Sequence, residues 1–153
     1  MKIYMIKSCV VAWVFLFSSL IFAAPAHAEC PGGNCDDYGY RTETSEDGAI
    51  FRGYAKKSRH GQGTMTWPNG DEYVGEWKND KMDGQGTMTW GNGDLYEGDW
   101  QDDIMNGEGT YIWANGDEYT GNWKNGVQDG QGIFISADGA VVSGVFSNGE
   151  MPR

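Results

Sequence analysis

The tripeptide Gly-x-Gly begins at Gly61, Gly84, Gly107 and Gly130, each start 23 residues after the last. A fixed step of this length confines the chain to a repeat architecture, in which each unit packs chiefly on its neighbours. The first unit reads GQGTMTWPNGDEYVGEWKNDKMD, the second GQGTMTWGNGDLYEGDWQDDIMN and the third GEGTYIWANGDEYTGNWKNGVQD. The fourth, GQGIFISADGAVVSGVFSNGEMP, keeps the glycines but sets smaller or apolar residues where the others carry Trp and Tyr. Upstream, DGAIFRGYAKKSRH matches the second half of a unit, aligning Phe51 with Tyr73 and Gly53 with Gly75 through a connection one residue shorter. The array thus covers residues 47–149: a half repeat at 47–60, repeats at 61–83, 84–106 and 107–129, and a degenerate unit at 130–149.

Inside a unit the side chains alternate with period two. Gly63-Thr64-Met65-Thr66-Trp67 reads as one strand and Glu72-Tyr73-Val74-Gly75-Glu76-Trp77 as the next, with Pro68-Asn69-Gly70-Asp71 supplying the turn of a β-hairpin. Asn79-Asp80, Asp102-Asp103, Asn125-Gly126 and Asn148-Gly149 mark the return turns, where residues tolerant of positive φ are wanted. No window after the N-terminal segment has helical periodicity, so the fold class is all-β. Alternation also sorts the two faces. Met65, Trp67, Tyr73, Gly75 and Trp77 share one face with their equivalents, and both glycines of Gly-x-Gly are expected there as gaps under neighbouring rings. The opposite face is polar in the early repeats and turns apolar later, through Ile112, Ile133, Ile135, Val141 and Val145.

Composition agrees with this division of labour. Glycine, 24 of 153 residues, is about twice its usual 7% share. The 21 aromatics exclude a disordered glycine-rich linker, and the missing G-X-Y period excludes collagen. A formal charge of −11 excludes phosphate-driven nucleic-acid binding, which needs clustered Lys and Arg.

The N-terminus has the plan of a signal peptide over residues 1–28. Lys2 and Lys7 precede an uncharged stretch with its apolar centre at Val10–Leu20, and Ala26-His27-Ala28 predicts cleavage between Ala28 and Glu29. An uncleaved anchor helix is the alternative, near the lower length limit for spanning a bilayer. Processing would leave 9 of 11 basic residues and all 22 acids, a balance of −13, in the periplasm or the medium. Residues 29–46 form a polar, acidic segment expected to be loosely ordered. Within it Cys30 and Cys35 flank the turn-forming Pro31-Gly32-Gly33-Asn34, which favours a small structural disulfide in an oxidising compartment over a redox-active pair.

Tyr73-Val74-Gly75-Glu76-Trp77 leading to Gly84-Gln85-Gly86 is followed, one step on, by Tyr96-Glu97-Gly98-Asp99-Trp100 leading to Gly107-Glu108-Gly109. Tyr119-Thr120-Gly121-Asn122-Trp123 leading to Gly130-Gln131-Gly132 completes the set. This pattern resembles the MORN (membrane occupation and recognition nexus) repeat. The resemblance implies an elongated, twisted single sheet of successive antiparallel hairpins, here of nine or so strands and on the order of 40 Å long. It also implies protein–protein scaffolding, with membrane-lipid binding proposed for the family. The acidic balance opposes binding to anionic headgroups, which draw on clustered basic residues. The kinase and methyltransferase domains that accompany some MORN arrays do not fit in this chain.

Chemistry is sparse. His60 is the one histidine after residue 28, so no histidine-based metal cluster is available; a Ser-His-Asp arrangement would require His60, which no nucleophile-elbow pattern accompanies, and no cofactor or enzymatic activity is expected. Asp71, Asp94 and Asp117 follow Asn-Gly steps and read as turn residues rather than calcium ligands. Two kinds of partner remain. An unidentified protein can dock on an exposed part of the aromatic face: Trp67, Tyr73, Trp77, Trp90, Tyr96, Trp100, Trp113, Tyr119 and Trp123. The same rings can stack on sugars of a glycan or cell wall, or serve only as core. Lys56, Lys57 and Arg59 offer a docking patch for an acidic partner, with solvation as the plainer reading. The apolar patch near Ile133 and Ile135 offers a surface for pairing two copies, or for cover by the last residues of the chain.

Overall fold

The computed structural model describes residues 39–151, so the expected signal peptide and the expected Cys30–Cys35 disulfide lie outside the described residues. Ten strands follow one another: β1 (Gly39–Thr44), β2 (Ile50–Ala55), β3 (Arg59–Thr66), β4 (Glu72–Lys78), β5 (Lys81–Thr89), β6 (Leu95–Gln101), β7 (Ile104–Ile112), β8 (Glu118–Lys124), β9 (Val127–Ile135) and β10 (Val141–Phe146). They form one sheet whose spatial order is the chain order, each strand antiparallel to the last. This is the all-β array of hairpins expected from the alternation. One element differs: residues 39–44, in the segment expected to be loose, pair with β2 from Gly39↔Ala55 to Thr44↔Ile50 and extend the array by a strand. The open edge of β2 supplies the template that composition alone does not reveal.

Turn chemistry sets the register. The return turns put Asn79 and Asp80 at φ 50° and 70°, and Asp102 and Asp103 at 49° and 68°, the left-handed pair that matches strand twist in a two-residue hairpin. In the other turns Trp67 N–H donates to Asp71 O at 2.9 Å and Gly70 N–H to Trp67 O at 3.0 Å, a geometry repeated at Trp90 and Trp113.

A single sheet has no second layer to cover its apolar face, so the rings lie down on their own strands. Tyr73, Tyr96 and Tyr119 are each 0% exposed. Glycine makes room for them: a Cβ built on Gly86 would stand 2.2 Å from Tyr73 Oη, and one on Gly109 2.4 Å from Tyr96 Oη. The rings then interlock edge to face in a continuous series, Phe51–Trp77–Tyr73–Trp100–Tyr96–Trp123–Tyr119–Phe146, with centroids 4.8–5.6 Å apart. Such contacts contribute about 0.5–1.5 kcal/mol each beyond area burial. Phenylalanine stands at both ends of the series, in place of Tyr at 51 and of Trp at 146.

The first glycine of each Gly-x-Gly departs from the expected placement. Gly75 pairs with Gly86 and Trp77 with Met82, so Glu76 alone faces Asp83, Gly84 and Gln85. At this bulge Gly84 has φ +110°, and a Cβ there would strike the Glu76 side chain at 2.6 Å, on the polar face. Only the second glycine of the pair lies under a ring. Period-two counting misses this, because a bulge resets which way a side chain points.

Candidate functional site

The bulge explains why the buried rings are Tyr and Trp. The residue facing each bulge accepts from the preceding tyrosine: Tyr73 Oη donates to Glu76 O, Tyr96 Oη to Asp99 O and Tyr119 Oη to Asn122 O, all at 3.0 Å. Trp77, Trp100 and Trp123 donate Nε1–H to the carbonyls of Gly63, Gly86 and Gly109 at 3.1–3.2 Å. Burial pushes the Tyr73 and Tyr96 phenols well above the ordinary range, with nearby Glu76 and Asp99 carboxylates adding to it. These six rings, all named above as a candidate partner face, are therefore core: they are buried and their polar atoms are bonded inside the sheet.

The other three candidate rings, Trp67, Trp90 and Trp113, are half-buried and line one margin of the ring face. Trp90 lies 5.3 Å from Tyr111 at 31°, Tyr111 4.6 Å from Trp113, and Trp113 5.9 Å from Phe134. The candidate face thus contracts to an aromatic margin. Near its N-terminal end an open cleft of about 620 Å³ is lined by Trp67, Trp77 and Phe51, with Glu43, Asp47 and Asp103 among its polar groups.

Of the basic patch, Lys56 and Lys57 are exposed, whereas Arg59 belongs to that cleft. Arg59 stands in β3 where Met82 stands in β5. Its guanidinium lies 4.8 Å from the Trp77 ring centroid and 5.7 Å from that of Phe51, with Nε 3.2 Å from Asp80 Oδ1. It is a cation–π filler paired to a carboxylate, which removes it from the docking patch.

The aspartates of the turns do more than shape their own turns. Asp71 Oδ1 accepts from Gly91 N–H, Asp94 Oδ1 from Ala114 N–H and Asp117 Oδ1 from Ala137 N–H, each at 2.8 Å. Each carboxylate therefore ties its repeat to the next. The bond from Ala114 N–H, with support from Asn92 and Tyr111, holds the Asp94 carboxyl below the usual range. The ladder stops where its parts are missing. Pro68 has no N–H to donate, and the residue aligned to reach it is Ala49; after the last turn, Ala140 replaces the aspartate. A second ladder on the opposite margin runs from Arg59 N–H to Asp80 and from Met82 N–H to Asp103. Sequence reading missed both ladders; the signal was the coincidence of Ala49 with Pro68.

The far face carries an open polar groove of about 660 Å³ lined by residues such as Glu97, Asp99, Glu108, Thr120 and Gln131. Farther along, Ile112, Ile133, Ile135, Val141 and Val145 are exposed as the alternation predicts. Among the described residues no three His, Cys, Asp or Glu side chains converge as metal ligands would, and no helix is long and apolar enough to cross a membrane.

A family model for the MORN repeat matches residues 56–72, 73–95, 96–118 and 119–141. The chain belongs to the MORN-repeat family. The matches at 73–95, 96–118 and 119–141 open on the buried tyrosines and span the bulge to the next hairpin, so each of these three units contains its own Tyr, Trp and ring-bearing glycines, whereas the match at 56–72 holds no tyrosine. Its last match ends at residue 141, where β10 begins. No curated protein matches the chain. Among solved structures, selenomethionine-substituted virginiamycin B lyase from Staphylococcus aureus is similar at 12% identity, over 78% of this chain and 45% of that one, with a TM-score of 0.24. A likeness at that level carries no argument about this array.

Proposed function

We propose that the chain is an exported, non-enzymatic MORN module that binds a protein partner along the Trp67–Trp90–Trp113 margin. The observation that carries this reading is the split among the nine candidate rings. Six have every polar atom bonded inside the sheet, while three large rings, at a 23-residue step, keep part of their surface in water. Half-exposed tryptophans beside a fixed scaffold are the kind of anchor that dominates protein interfaces. The margin also leads into the cleft where Glu43, Asp47 and Asp103 collect, which suits a partner segment bearing basic side chains. Export is supported by the charged start, the apolar stretch and the Ala26-His27-Ala28 site. Lipid association draws no support from an acidic array.

The test is cross-linking in the cell followed by affinity capture, with wild-type protein compared with Trp90→Ala and Trp113→Ala. Each variant is first checked for an intact circular-dichroism spectrum. The expected result is one or more proteins that cross-link to the wild type and are lost from both variants. Retention of every protein by both variants would refute the margin as the docking surface. Capture of polysaccharide instead, lost with the same rings, would replace the protein reading with glycan binding.

A further inference from the structure

Asn-Gly occurs six times, at Asn69, Asn92, Asn106, Asn115, Asn125 and Asn148. This dipeptide readily loses its side-chain amide, because a glycine without Cβ lets its own backbone nitrogen reach the Asn Cγ. The fold divides the six steps. In the hairpin turns the Asn amide is clamped from both ends. Asn92 Oδ1 accepts from Asp94 N–H at 2.9 Å and its Nδ2 donates to Asp94 Oδ2 at 3.0 Å, and the same two bonds hold Asn69 to Asp71 and Asn115 to Asp117. Asn106 lies half-buried in β7, its Nδ2 donating to Gln101 Oε1. The exposed side chains of Asn125 and Asn148, in the return turns, make no hydrogen bond among the described residues. Bonding of the attacking nitrogen does not separate the turns: Gly70, Gly93 and Gly116 N–H donate to Trp carbonyls at 2.8–3.0 Å, and Gly126 and Gly149 N–H to Met105 O and Gln128 O at 2.9 Å. Charge does. That nitrogen must give up its proton, so a carboxylate beside it hinders and a cation helps. An acidic residue directly follows five of the six steps, whereas Asn125-Gly126 stands between Lys124 and Val127.

We propose that Asn125 is a site of spontaneous modification by its own backbone, with Asn148 slower and the other four steps protected. The Gly126 nitrogen bonds to Asn125 Cγ, the Cγ–Nδ2 bond breaks, and the amide leaves as ammonia with the proton that the glycine nitrogen gave up. Water then opens the resulting succinimide at either carbonyl, which restores the Gly126 N–H and leaves aspartate or isoaspartate at position 125. The aspartate product fits the turn. The preceding return turn carries Asp102 in the same place, at φ 49° against 51° for Asn125. Isoaspartate does not fit. It carries the main chain through Cβ and so lengthens a two-residue loop whose flanks, Lys124 and Val127, are paired and whose Gly126 N–H reaches Met105 O. Ageing therefore yields two forms of the protein: one intact with an added negative charge, and one with the β8–β9 turn loosened.

The test is peptide mapping by mass spectrometry on the full protein, purified as the cell makes it and held at mildly alkaline pH, with isoaspartate told from aspartate by fragmentation. The Asn125 amide is expected to be lost first, about tenfold faster than those of Asn69, Asn92 and Asn115, whose clamping bonds must break before the ring can close. In denaturant the spread among the six steps narrows. Asp94→Ala frees Asn92 and removes the carboxylate beside Gly93, and brings Asn92 up towards the rate of Asn125; Lys124→Glu slows Asn125. Equal rates at all six steps of the folded protein would overturn the proposal, as would loss at Asn69, Asn92 or Asn115 ahead of Asn125. So would an Asn92 rate indifferent to Asp94→Ala, or a spread that persists unchanged in denaturant.

Discussion

The inner repeats and the last unit share one backbone, yet they hold it together by different means. In residues 61–129 Tyr73, Tyr96 and Tyr119 each lie over two glycines and bond the carbonyl stranded by the bulge; Tyr73 and Tyr96 each touch two tryptophans edge to face, and Tyr119 touches Trp123 and Phe146. In residues 130–149 Val142 stands in the tyrosine's place, Phe146 in the tryptophan's and Ala140 in the bridging aspartate's. The tyrosine and the aspartate that are lost are the groups that engage the following repeat, while Phe146 keeps the ring that packs back on Tyr119. An interlocking ring or a reaching carboxylate with nothing beyond it would leave apolar surface or an unpaired polar group at the end of the array. The last unit is therefore a cap, accepting the ring series from Trp123 and Tyr119 and handing nothing on.

That contrast can be broken at three strengths. Tyr96→Ala has the largest expected effect, a loss of about 3–5 kcal/mol in urea unfolding, since a fully buried ring leaves a cavity at the middle of the series. Val142→Ala, the equivalent change in the cap, is expected to cost about 1 kcal/mol, because Val142 is half-buried and bridges nothing. Equal costs would mean that the cap is as tightly interlocked as the interior.

Next comes a pair of glycine substitutions. Gly109→Ala places a Cβ 2.4 Å from Tyr96 Oη and 2.6 Å from the ring, and is expected to cost about 1–3 kcal/mol as the ring is forced up. Gly139→Ala, in the turn of the cap, meets nothing within 4 Å and carries only the strain of φ +90°, about 1 kcal/mol. Thermal unfolding of the two variants separates close approach from backbone freedom as the reason for glycine.

The smallest effect concerns the carboxylate ladder. Asp94→Ala removes the acceptor for Ala114 N–H and is expected to cost about 1 kcal/mol near neutral pH, whereas Ala140→Asp finds no next turn to reach and leaves stability unchanged. The pH dependence follows from the lowered Asp94 pKa. An acid whose folded pKa is depressed contributes its full share above the unfolded value, about 3.9, and loses it as pH falls through the folded value. The gap between wild type and Asp94→Ala should therefore hold above about pH 5 and close in stronger acid. A gap that stays constant through acid unfolding would deny the bond its ionic character.

Much of the fold was legible in the residues because a repeat states its rules several times. The 23-residue step located the hairpins, and the Asn-Asp, Asp-Asp and Asn-Gly turns were placed where positive φ is found. Alternation put the six tryptophans of the array on one face. Less of the site could be read. Alternation says which face a ring is on but not how deep it lies, so Trp67 and Trp77 look alike in sequence while one is half-buried and the other core. Arg59 reads as part of a basic run because Lys56 and Lys57 stand just before it; its partners, Trp77 and Asp80, arrive from the next hairpin.

By itself, then, the sequence determined the unit: strand, turn, strand, with glycines beside rings and an array that ends at residues unable to continue it. Those are local properties of a chain segment, and each copy reports them independently. The tertiary structure decided what passes between units. Whether β1 finds an edge to pair with, which glycine of Gly-x-Gly lies under a ring, and which aspartate reaches the neighbouring turn all depend on strands brought side by side at a bulge. A bulge displaces side chains by a residue's width and reverses which way some of them point, and no count along the chain contains that displacement.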